Sequence, residues 1–262
     1  MTSQQPMTGS GVIPNLGGRV ILVTGGARGI GARVAVEAAR AGAVVAVGYQ
    51  SSVEAADEVV AEILAGGGRA RAVGADVSVE SEVRALVAGV GQELGPIDGL
   101  VNAAAIMATG DFLATTAADW ERMLRNDFYS VIFTCQAVLP GMVERGRGAI
   151  VNVTSRLATT GAADAAPYAA AKAAVASLTR SLALAYGPFG VRINAVSPGT
   201  TDTAMGRDVI DSPAGRDRAA RIPIRRFVEP SEVAAAVIFL LSDAAGGFAG
   251  QTLQVNGGEL MT

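Results

Sequence analysis

The sequence predicts an α/β fold, a doubly wound parallel sheet of about seven strands with helices on both faces. Two observations support this prediction. Short apolar runs rich in valine and isoleucine alternate along the chain with longer segments of helical periodicity. Most of those runs are apolar at nearly every position, a pattern typical of parallel strands that are buried on both faces.

The first half of the chain alternates between the two kinds of element in strict order. The run at 20–23 reads Val-Ile-Leu-Val and the run at 44–47 reads Val-Val-Ala-Val, and such β-branched residues favour strands. Between the runs, helical patterns follow. The predicted strands and helices cover residues 20–23, 29–41, 44–47, 53–64, 70–73, 79–94 and 100–101.

The second half continues the pattern with longer helices, and its predicted elements cover residues 118–143, 149–153, 166–186, 191–196, 230–241 and 252–255. No repeat and no internal linker is visible, so residues 18–262 are predicted to form a single domain. Residues 198–223 are less regular and rich in Gly, Thr, Asp and Arg, as is typical of a substrate lid. Residues 1–17 are polar, lack the features of a signal peptide and are predicted to be a flexible tail.

Composition excludes several kinds of function. The chain has 262 residues, of which 17% are charged, a formal net charge of −3 and no histidine. We therefore expect no nucleic-acid partner, no Ser-His-Asp catalysis and no His-based metal site. No apolar run reaches the ~20 residues of a membrane helix. The lone Cys135 lies in an apolar helical run, where buried packing is expected, and the protein is predicted to be cytoplasmic.

A glycine-rich segment joins the first strand to the first helix. Residues 24–31 read Thr-Gly-Gly-Ala-Arg-Gly-Ile-Gly. Gly25, Gly29 and Gly31 permit a tight turn and a close approach of a ligand to the backbone, and the helix N-terminus offers free N–H groups. Such turns also occur as plain packing. The strand before this cradle and the helix after it favour a dinucleotide-binding site.

A second motif carries proton-transfer chemistry. Tyr168 and Lys172 are four residues apart, about one helical turn, so the phenol and the ammonium share a helix face. A nearby cation is expected to lower the pKa of the tyrosine from ~10 toward neutral pH, which suits general acid–base catalysis. Ser155, at the end of an upstream strand, could hold a substrate oxygen. Taken alone, the pair is also compatible with helix packing and a solvated lysine.

Taken in order, these motifs resemble the short-chain dehydrogenase/reductase family. The resemblance runs from about residue 19 to residue 258. Within the family, the chain most resembles bacterial 3-oxoacyl-[acyl-carrier-protein] reductases. It implies a Rossmann-type fold and an NAD(P)-dependent oxidoreductase acting on CH–OH groups. The motifs that carry it are the cradle, Asp76-Val77, Asn102-Ala103-Ala104-Ala105, Ser155, Tyr168-x-x-x-Lys172, Asn194-x-x-x-Pro198-Gly199 and Asn256-Gly257-Gly258.

The resemblance also implies roles for individual residues. Tyr168 would protonate a carbonyl oxygen, Lys172 would bind the cofactor ribose and keep the tyrosine acidic, and Ser155 would orient the oxygen. Asp76 would bind the adenine amino group, although a loop aspartate or a helix cap is the alternative. Asn102 would stabilise the fourth strand beside the cofactor. The implied cofactor residues are Gly25, Arg28, Gly29, Ile30, Gly31, Tyr49, Ser51, Ser52, Asp76, Val77, Asn102, Tyr168, Lys172, Pro198, Gly199, Thr201 and Thr203.

The choice between NADP and NAD depends on the end of the second strand. A carboxylate there would bind the 2′-hydroxyl of NAD, but the chain reads Gly-Tyr-Gln-Ser-Ser over 48–52. Arg28 could face a 2′-phosphate, with Ser51 and Ser52 as further donors, or it could be a solvated loop cation. NADPH is favoured, and NAD remains possible.

One position departs from the family pattern. The long central helix of the family carries an asparagine in the proton relay to the lysine, and the corresponding residue here is Asp127, preceded by Asn126. Either Asp127 replaces the asparagine and pairs with Lys172, or a local bulge brings Asn126 into the role. We favour Asp127, and predict that Asp127→Asn keeps or raises activity.

The substrate is the least determined feature. Residues expected to line its pocket are Met107, Arg156, Thr159, Thr160, Ala162 and Met205. The leading hypothesis is an NADPH-dependent reductase of a ketone or 3-oxoacyl carbonyl, free or carrier-bound. The alternatives are an NAD(P)-dependent dehydrogenase of a specialised secondary alcohol and a catalytically impaired dinucleotide-binding protein. By resemblance, the chain is expected to form a homotetramer or homodimer.

Overall fold

The computed structural model describes residues 14–262, without the side chains of Asp208 and Val209. Its first half alternates strands and helices in the predicted order. The elements are β1 (Val20–Thr24), α1 (Gly29–Arg40), β2 (Val44–Tyr49), α2 (Val53–Ala65), β3 (Arg69–Gly74), α3 (Glu80–Glu93) and β4 (Ile97–Asn102).

The second half carries longer helices and the irregular segment before α10. Its elements are α4 (Ala117–Leu124), α5 (Ser130–Glu144), β5 (Gly148–Val153), α6 (Leu157–Thr160), α7 (Ala166–Tyr186), β6 (Val191–Pro198), α8 (Arg207–Ile210), α9 (Pro213–Arg221), α10 (Pro230–Leu241) and β7 (Thr252–Val255). In residues 14–262, no helix is both long and apolar enough to cross a membrane.

The seven strands form one parallel sheet in the order β3-β2-β1-β4-β5-β6-β7. The prediction of a doubly wound, Rossmann-type parallel sheet is therefore confirmed. Strand order reverses at β1, whose neighbours are β2 on one side and β4 on the other. A reversal of this kind opens a crevice at the carboxyl ends of the strands, which is where such sheets bind ligands.

Alternate residues of each central strand pack against opposite layers of helices. In β1, Ile21 and Val23 belong to the core beneath α1, α2 and α10, whereas Val20 and Leu22 belong to the core beneath α3, α5 and α7. This double burial explains the nearly continuous apolar runs, since each such side chain contributes about 1.5–3 kcal/mol when fully buried. Cys135 packs in the second core, where burial raises the pKa of its thiol to about 12.

Two boundaries differ from the sequence-based predictions. The helix predicted over 118–143 is not continuous, because a π-helical turn, Arg125–Tyr129, separates α4 from α5. The predicted tail over 1–17 lies mostly outside the described residues. Its end is packed, since Leu16 is fully buried and its N–H donates to the carbonyl of Ala41 at 2.8 Å.

Candidate active site

A cavity of about 760 Å³ opens at the carboxyl ends of the strands, where the strand order reverses. It brings together segments that are far apart in the sequence. Of the predicted catalytic and cofactor residues, those that line it are Gly25, Arg28, Gly29, Ile30, Gly31, Tyr49, Ser51, Ser52, Asp76, Val77, Ser155, Tyr168, Lys172, Pro198, Gly199, Thr201 and Thr203.

The glycine-rich cradle has the shape that a phosphate group needs. A Cβ on Gly31 would lie 2.1 Å from the carbonyl oxygen of Gly25, and a Cβ on Gly25 would lie 2.7 Å from the backbone of Ala104. Gly25 and Gly29 also have positive φ angles of 63° and 54°. Helix α1 begins at Gly29 without a side-chain cap or an acidic residue in its first turn. Its first N–H groups are therefore available to an anion, and the cradle fits a pyrophosphate.

At the cavity wall just after β3, Asp76 is held by three hydrogen bonds. Its Oδ1 accepts from the Ser78 N–H and its Oδ2 from the Gln50 side chain, both at 2.8 Å, and its own N–H donates to Glu82. Burial alone would raise the pKa of Asp76, but the bonds from Ser78 and Gln50 outweigh it and the pKa is lowered. Asp76 is therefore a fixed, ionised acceptor at the cavity wall.

The end of β2 carries donors and no carboxylate. Tyr49, Ser51 and Ser52 line the cavity, and Arg28 approaches from the cradle. Arg28 is exposed and forms no ion pair within residues 14–262. A free guanidinium that lines the same cavity as two hydroxyls can bind a phosphate.

Tyr168 and Lys172 lie in the first two turns of α7, and Ser155 follows β5. The Lys172 Nζ is 5.6 Å from the centroid of the Tyr168 ring. Both residues are almost fully buried, with 8% and 3% of their surface exposed. Tyr168 and Lys172 therefore share a helix face as predicted, and that buried face lines the cavity.

Burial changes the electrostatics that we expected for Tyr168. Burial raises the pKa of its phenol, Lys172 lowers it, Asp127 raises it and Ser155 lowers it, and the pKa is raised overall. The expectation of a pKa below the ordinary value is thus wrong. The phenol is protonated at neutral pH. For Lys172, burial favours the neutral amine, but Asp127 and Tyr168 outweigh it and raise the pKa.

Asp127, and not Asn126, contacts Lys172. The π-helical turn places Asp127 inward, where it is fully buried. Its Oδ1 accepts a hydrogen bond from the Ile106 N–H at 2.8 Å, and its Oδ2 lies 3.2 Å from the Lys172 Nζ. The Asn126 side chain donates instead to the Arg122 carbonyl at 2.9 Å. A bulge is present, but Asn126 does not take the place of Asp127 beside the lysine.

Comparisons with known proteins agree with this geometry. A family model described as Enoyl-(Acyl carrier protein) reductase matches residues 25–259. The chain is 42% identical, over 92% of its length and 96% of the relative, to cis-4-hydroxycyclohexanecarboxylate dehydrogenase of Sinomonas cyclohexanicum. It is 36% identical, over 92% of its length and 97% of the relative, to 3-oxoacyl-[acyl-carrier-protein] reductase of Staphylococcus aureus.

A solved structure is similar throughout. Gluconate 5-dehydrogenase from Burkholderia cenocepacia, in complex with NADP and tartrate, has a TM-score of 0.89 at 34% identity, with 94% of this chain and 96% of that chain covered. The chain belongs to the short-chain dehydrogenase/reductase family. It is an NAD(P)-dependent oxidoreductase that acts on an alcohol or a carbonyl group.

One residue predicted to contact the cofactor of this short-chain dehydrogenase/reductase lies behind the cavity wall. Asn102 is buried and does not line the cavity. Its Nδ2 donates to Asn152 Oδ1 at 2.9 Å, and its Oδ1 accepts from the Thr134 hydroxyl at 2.8 Å. Asn102 therefore joins β4 to β5 and α5, which supports its implied structural role and not a direct contact.

The substrate side of the short-chain dehydrogenase/reductase cavity agrees only in part with the prediction. Met107, Arg156, Ala162 and Met205 line it, whereas Thr159 and Thr160 do not. Lining residues that sequence reasoning missed include Gln50, Thr109, Leu157, Asp164 and Arg218. No local motif marks these residues, since what they share is a position in the folded chain.

Proposed function

We propose that this short-chain dehydrogenase/reductase is an NADPH-dependent reductase that converts a ketone to a secondary alcohol, with Tyr168 as the general acid. The observation that carries the proposal is the buried Tyr168–Lys172–Asp127 arrangement at the wall of the dinucleotide cavity. Reduction needs a protonated phenol at neutral pH, and burial, which raises the pKa of Tyr168, keeps that proton in place.

The chain's own side chains have distinct tasks in this reaction. When bound, the reduced nicotinamide dinucleotide supplies the hydride. Ser155 donates a hydrogen bond that holds the carbonyl oxygen near Tyr168. Tyr168 then gives its hydroxyl proton to that oxygen, and the ammonium of Lys172 stabilises the phenolate that remains. Asp127 holds Lys172 in place, so that the cation stays charged in a buried position.

The test of this proposal is consumption of NADPH against a panel of ketones and an acetoacetyl thioester, with NADH in parallel. Turnover with NADPH supports the reductase, and turnover of the thioester extends the substrate range to 3-oxoacyl groups. Tight cofactor binding without turnover of any carbonyl or alcohol would contradict it.

Oxidation of a secondary alcohol is the second candidate function. The relative from Sinomonas cyclohexanicum, 42% identical, is a dehydrogenase by name, and this supports the oxidative direction. The two candidates share one site and differ in the protonation state that Tyr168 must start from. Initial rates in both directions at neutral pH separate them, because the reductase requires the phenol and the dehydrogenase requires the phenolate.

Arg28 gives a test of cofactor preference. Arg28→Ala is expected to raise the KM for NADPH at least about tenfold while the KM for NADH changes less than about twofold, because a charge-assisted bond to a phosphate contributes about 1.5–3 kcal/mol. Steady-state kinetics with each cofactor measure the effect. Arg69→Ala, at an exposed position of the edge strand β3, is the control. Equal changes for NADPH and NADH would assign Arg28 no part in the preference.

Gly31 gives a test of the cradle. Gly31→Ala is expected to raise the Kd for NADPH at least about tenfold, or 1.4 kcal/mol, because the new Cβ would lie 2.1 Å from the Gly25 carbonyl oxygen and displace the turn. Fluorescence titration of the cofactor measures this. The matched control is Gly91→Ala in α3, where a Cβ lies within 4 Å of no described atom outside its own stretch of helix. An unchanged Kd in Gly31→Ala would mean that the turn does not hold the cofactor.

Assembly and domain organisation are proposed by analogy with the family. The protein is proposed to be a cytoplasmic homotetramer or homodimer in which residues 18–262 act as one domain and residues 198–223 as a lid. Exposed apolar side chains on the outer helices support an assembly, with Leu184 of α7 82% exposed and Tyr129 before α5 40% exposed. Light scattering during size-exclusion chromatography gives the number of chains directly.

A further inference from the structure

Two arginines line the substrate side of the cavity. Arg156 directly follows Ser155 in the chain, and its N–H donates to the Pro198 carbonyl at 3.0 Å. Arg218 comes from α9, in the segment that follows β6. The remaining wall on this side is largely apolar, with side chains such as Met107, Leu157 and Met205. Cationic side chains in a mostly apolar wall are the polar groups that orient a ligand in such cavities.

Glu259 forms an ion pair with each of the two arginines. Its Oε2 lies 3.1 Å from Arg156 Nε, and its Oε1 accepts from Arg218 Nε at 2.6 Å and also contacts Arg218 Nη2. Glu259 is not part of the cavity lining, and only 12% of its side chain is exposed. Both guanidinium groups therefore turn their Nε edges to Glu259. Within residues 14–262, the Nη atoms of Arg156 have no hydrogen-bond acceptor and are not buried, so they remain available.

The charges on this side of the cavity do not balance. Two guanidinium groups share one carboxylate, and Lys172 is already paired with Asp127. Asp164 also lines the cavity, but it is exposed, so solvent screens its charge. One positive charge beside Ser155 is thus left without a buried partner among the described residues. An anion is the ligand that best satisfies such a site.

We propose that Arg156 and Arg218 bind a carboxylate on the substrate, so that the protein acts on oxo acids and the corresponding hydroxy acids. Glu259 is a positioning residue that fixes the two cations. Arg156 directly follows Ser155, whose hydroxyl holds the carbonyl oxygen in the proposed reaction. The carboxylate site is therefore next to the site of the carbonyl oxygen, and the apolar wall contacts the carbon skeleton that joins the two groups. The inference rests on the proposed reductase function and names the substrate class of the same site.

The experiment compares acids with their methyl esters, which differ in charge but retain the reacting carbonyl. The full chain, loaded with NADPH, is assayed with 4-oxocyclohexanecarboxylate and acetoacetate and with the methyl ester of each. The variants are Arg156→Gln and Arg218→Gln. Arg221→Gln is the matched control, since Arg221 lies on the same helix, is exposed and does not line the cavity.

The wild type is expected to prefer at least one acid over its ester by at least about tenfold in kcat/KM, the size of one charge-assisted hydrogen bond. Arg156→Gln and Arg218→Gln should each reduce that preference below about threefold, by slowing the acid alone, and Arg221→Gln should leave it unchanged. No preference in the wild type, or equal losses for acid and ester in both variants, would overturn the inference and leave the arginines a structural role.

A binding measurement separates this inference from the reductase proposal. Calorimetry of the NADPH-loaded protein with cyclohexanecarboxylate and with its methyl ester requires no turnover. Tighter binding of the acid, weakened at least about fivefold in Arg156→Gln, supports the carboxylate site even if no ketone is reduced. Acid and ester that bind alike overturn it even if neutral ketones are reduced.

Discussion

Tyr168→Phe is expected to lower kcat by at least about a hundredfold while the Kd for NADPH changes by less than about threefold, because a positioned general acid contributes about 10²–10⁴ to the rate. The variant loses only the hydroxyl. The ring is buried against Met123, Ala165 and Ala171, and phenylalanine preserves that packing. Initial rates of NADPH consumption give kcat, and fluorescence titration of the cofactor gives the Kd.

The same helix offers a control. Tyr186→Phe removes a hydroxyl at the last residue of α7, away from the cavity, and should leave kcat unchanged within about twofold. A Tyr168→Phe variant that keeps more than about a tenth of wild-type kcat would contradict a role as general acid. A parallel loss of cofactor binding would instead indicate a damaged fold.

The fold was predictable because its signals are local or periodic. The strand at 20–23 is apolar throughout because both faces of β1 are covered, and this is visible without knowing what covers them. The cradle was predictable for a related reason. Any residue other than glycine at position 31 would place its Cβ 2.1 Å from the Gly25 carbonyl oxygen. Where one backbone approaches another, the residue type itself reports the geometry.

The missed features come from contacts between distant segments. Arg218 and Glu259 are 41 positions apart, and neither lies in a pattern that pairs them. The π-helical turn at Arg125–Tyr129 is likewise invisible in the apolar periodicity, which continues through it. The pKa of Tyr168 was predicted in the wrong direction because sequence spacing reveals the cation four residues away but not the depth of burial, which is the larger effect.

Asp127→Asn is expected to lower the free energy of unfolding by about 3 kcal/mol at pH 7, because it leaves a buried lysine without its counter-charge. Asp127 is fully buried and Lys172 is 3% exposed, so water cannot replace the lost carboxylate. The amide still accepts from the Ile106 N–H, so the backbone contact is retained. Urea unfolding at equilibrium measures the difference.

A double variant distinguishes an unpaired charge from a packing defect. Asp127→Asn combined with Lys172→Met removes both charges and should recover most of the loss, since replacing a buried ion pair by an uncharged pair is often nearly neutral. If the losses of unfolding free energy in Asp127→Asn and in Lys172→Met simply add in the double variant, the ion pair does not couple the two residues.

The difference in the free energy of unfolding between wild type and Asp127→Asn should also depend on pH. The folded-state pKa values of Lys172 and Tyr168 are raised above their ordinary values of 10.5 and 10.0, so both groups hold a proton more tightly when folded. Their contribution is fully present below about pH 10 and is lost as the pH rises through the folded-state values. Wild type and Asp127→Asn should therefore differ most at neutral pH and converge as the pH rises through the raised folded-state pKa of Lys172. A difference that grows with pH would contradict this assignment.

Catalysis should respond separately from stability. Loss of the Asp127 charge lowers the proton affinity of both Tyr168 and Lys172, so the alkaline limb of the reductive rate should move to lower pH in Asp127→Asn. At neutral pH burial still keeps the proton on Tyr168, the proton donor, and activity should be kept or raised. A loss of more than about tenfold in kcat at pH 7, equal to 1.4 kcal/mol, would mean that the carboxylate itself takes part in proton transfer, beyond holding Lys172 in place.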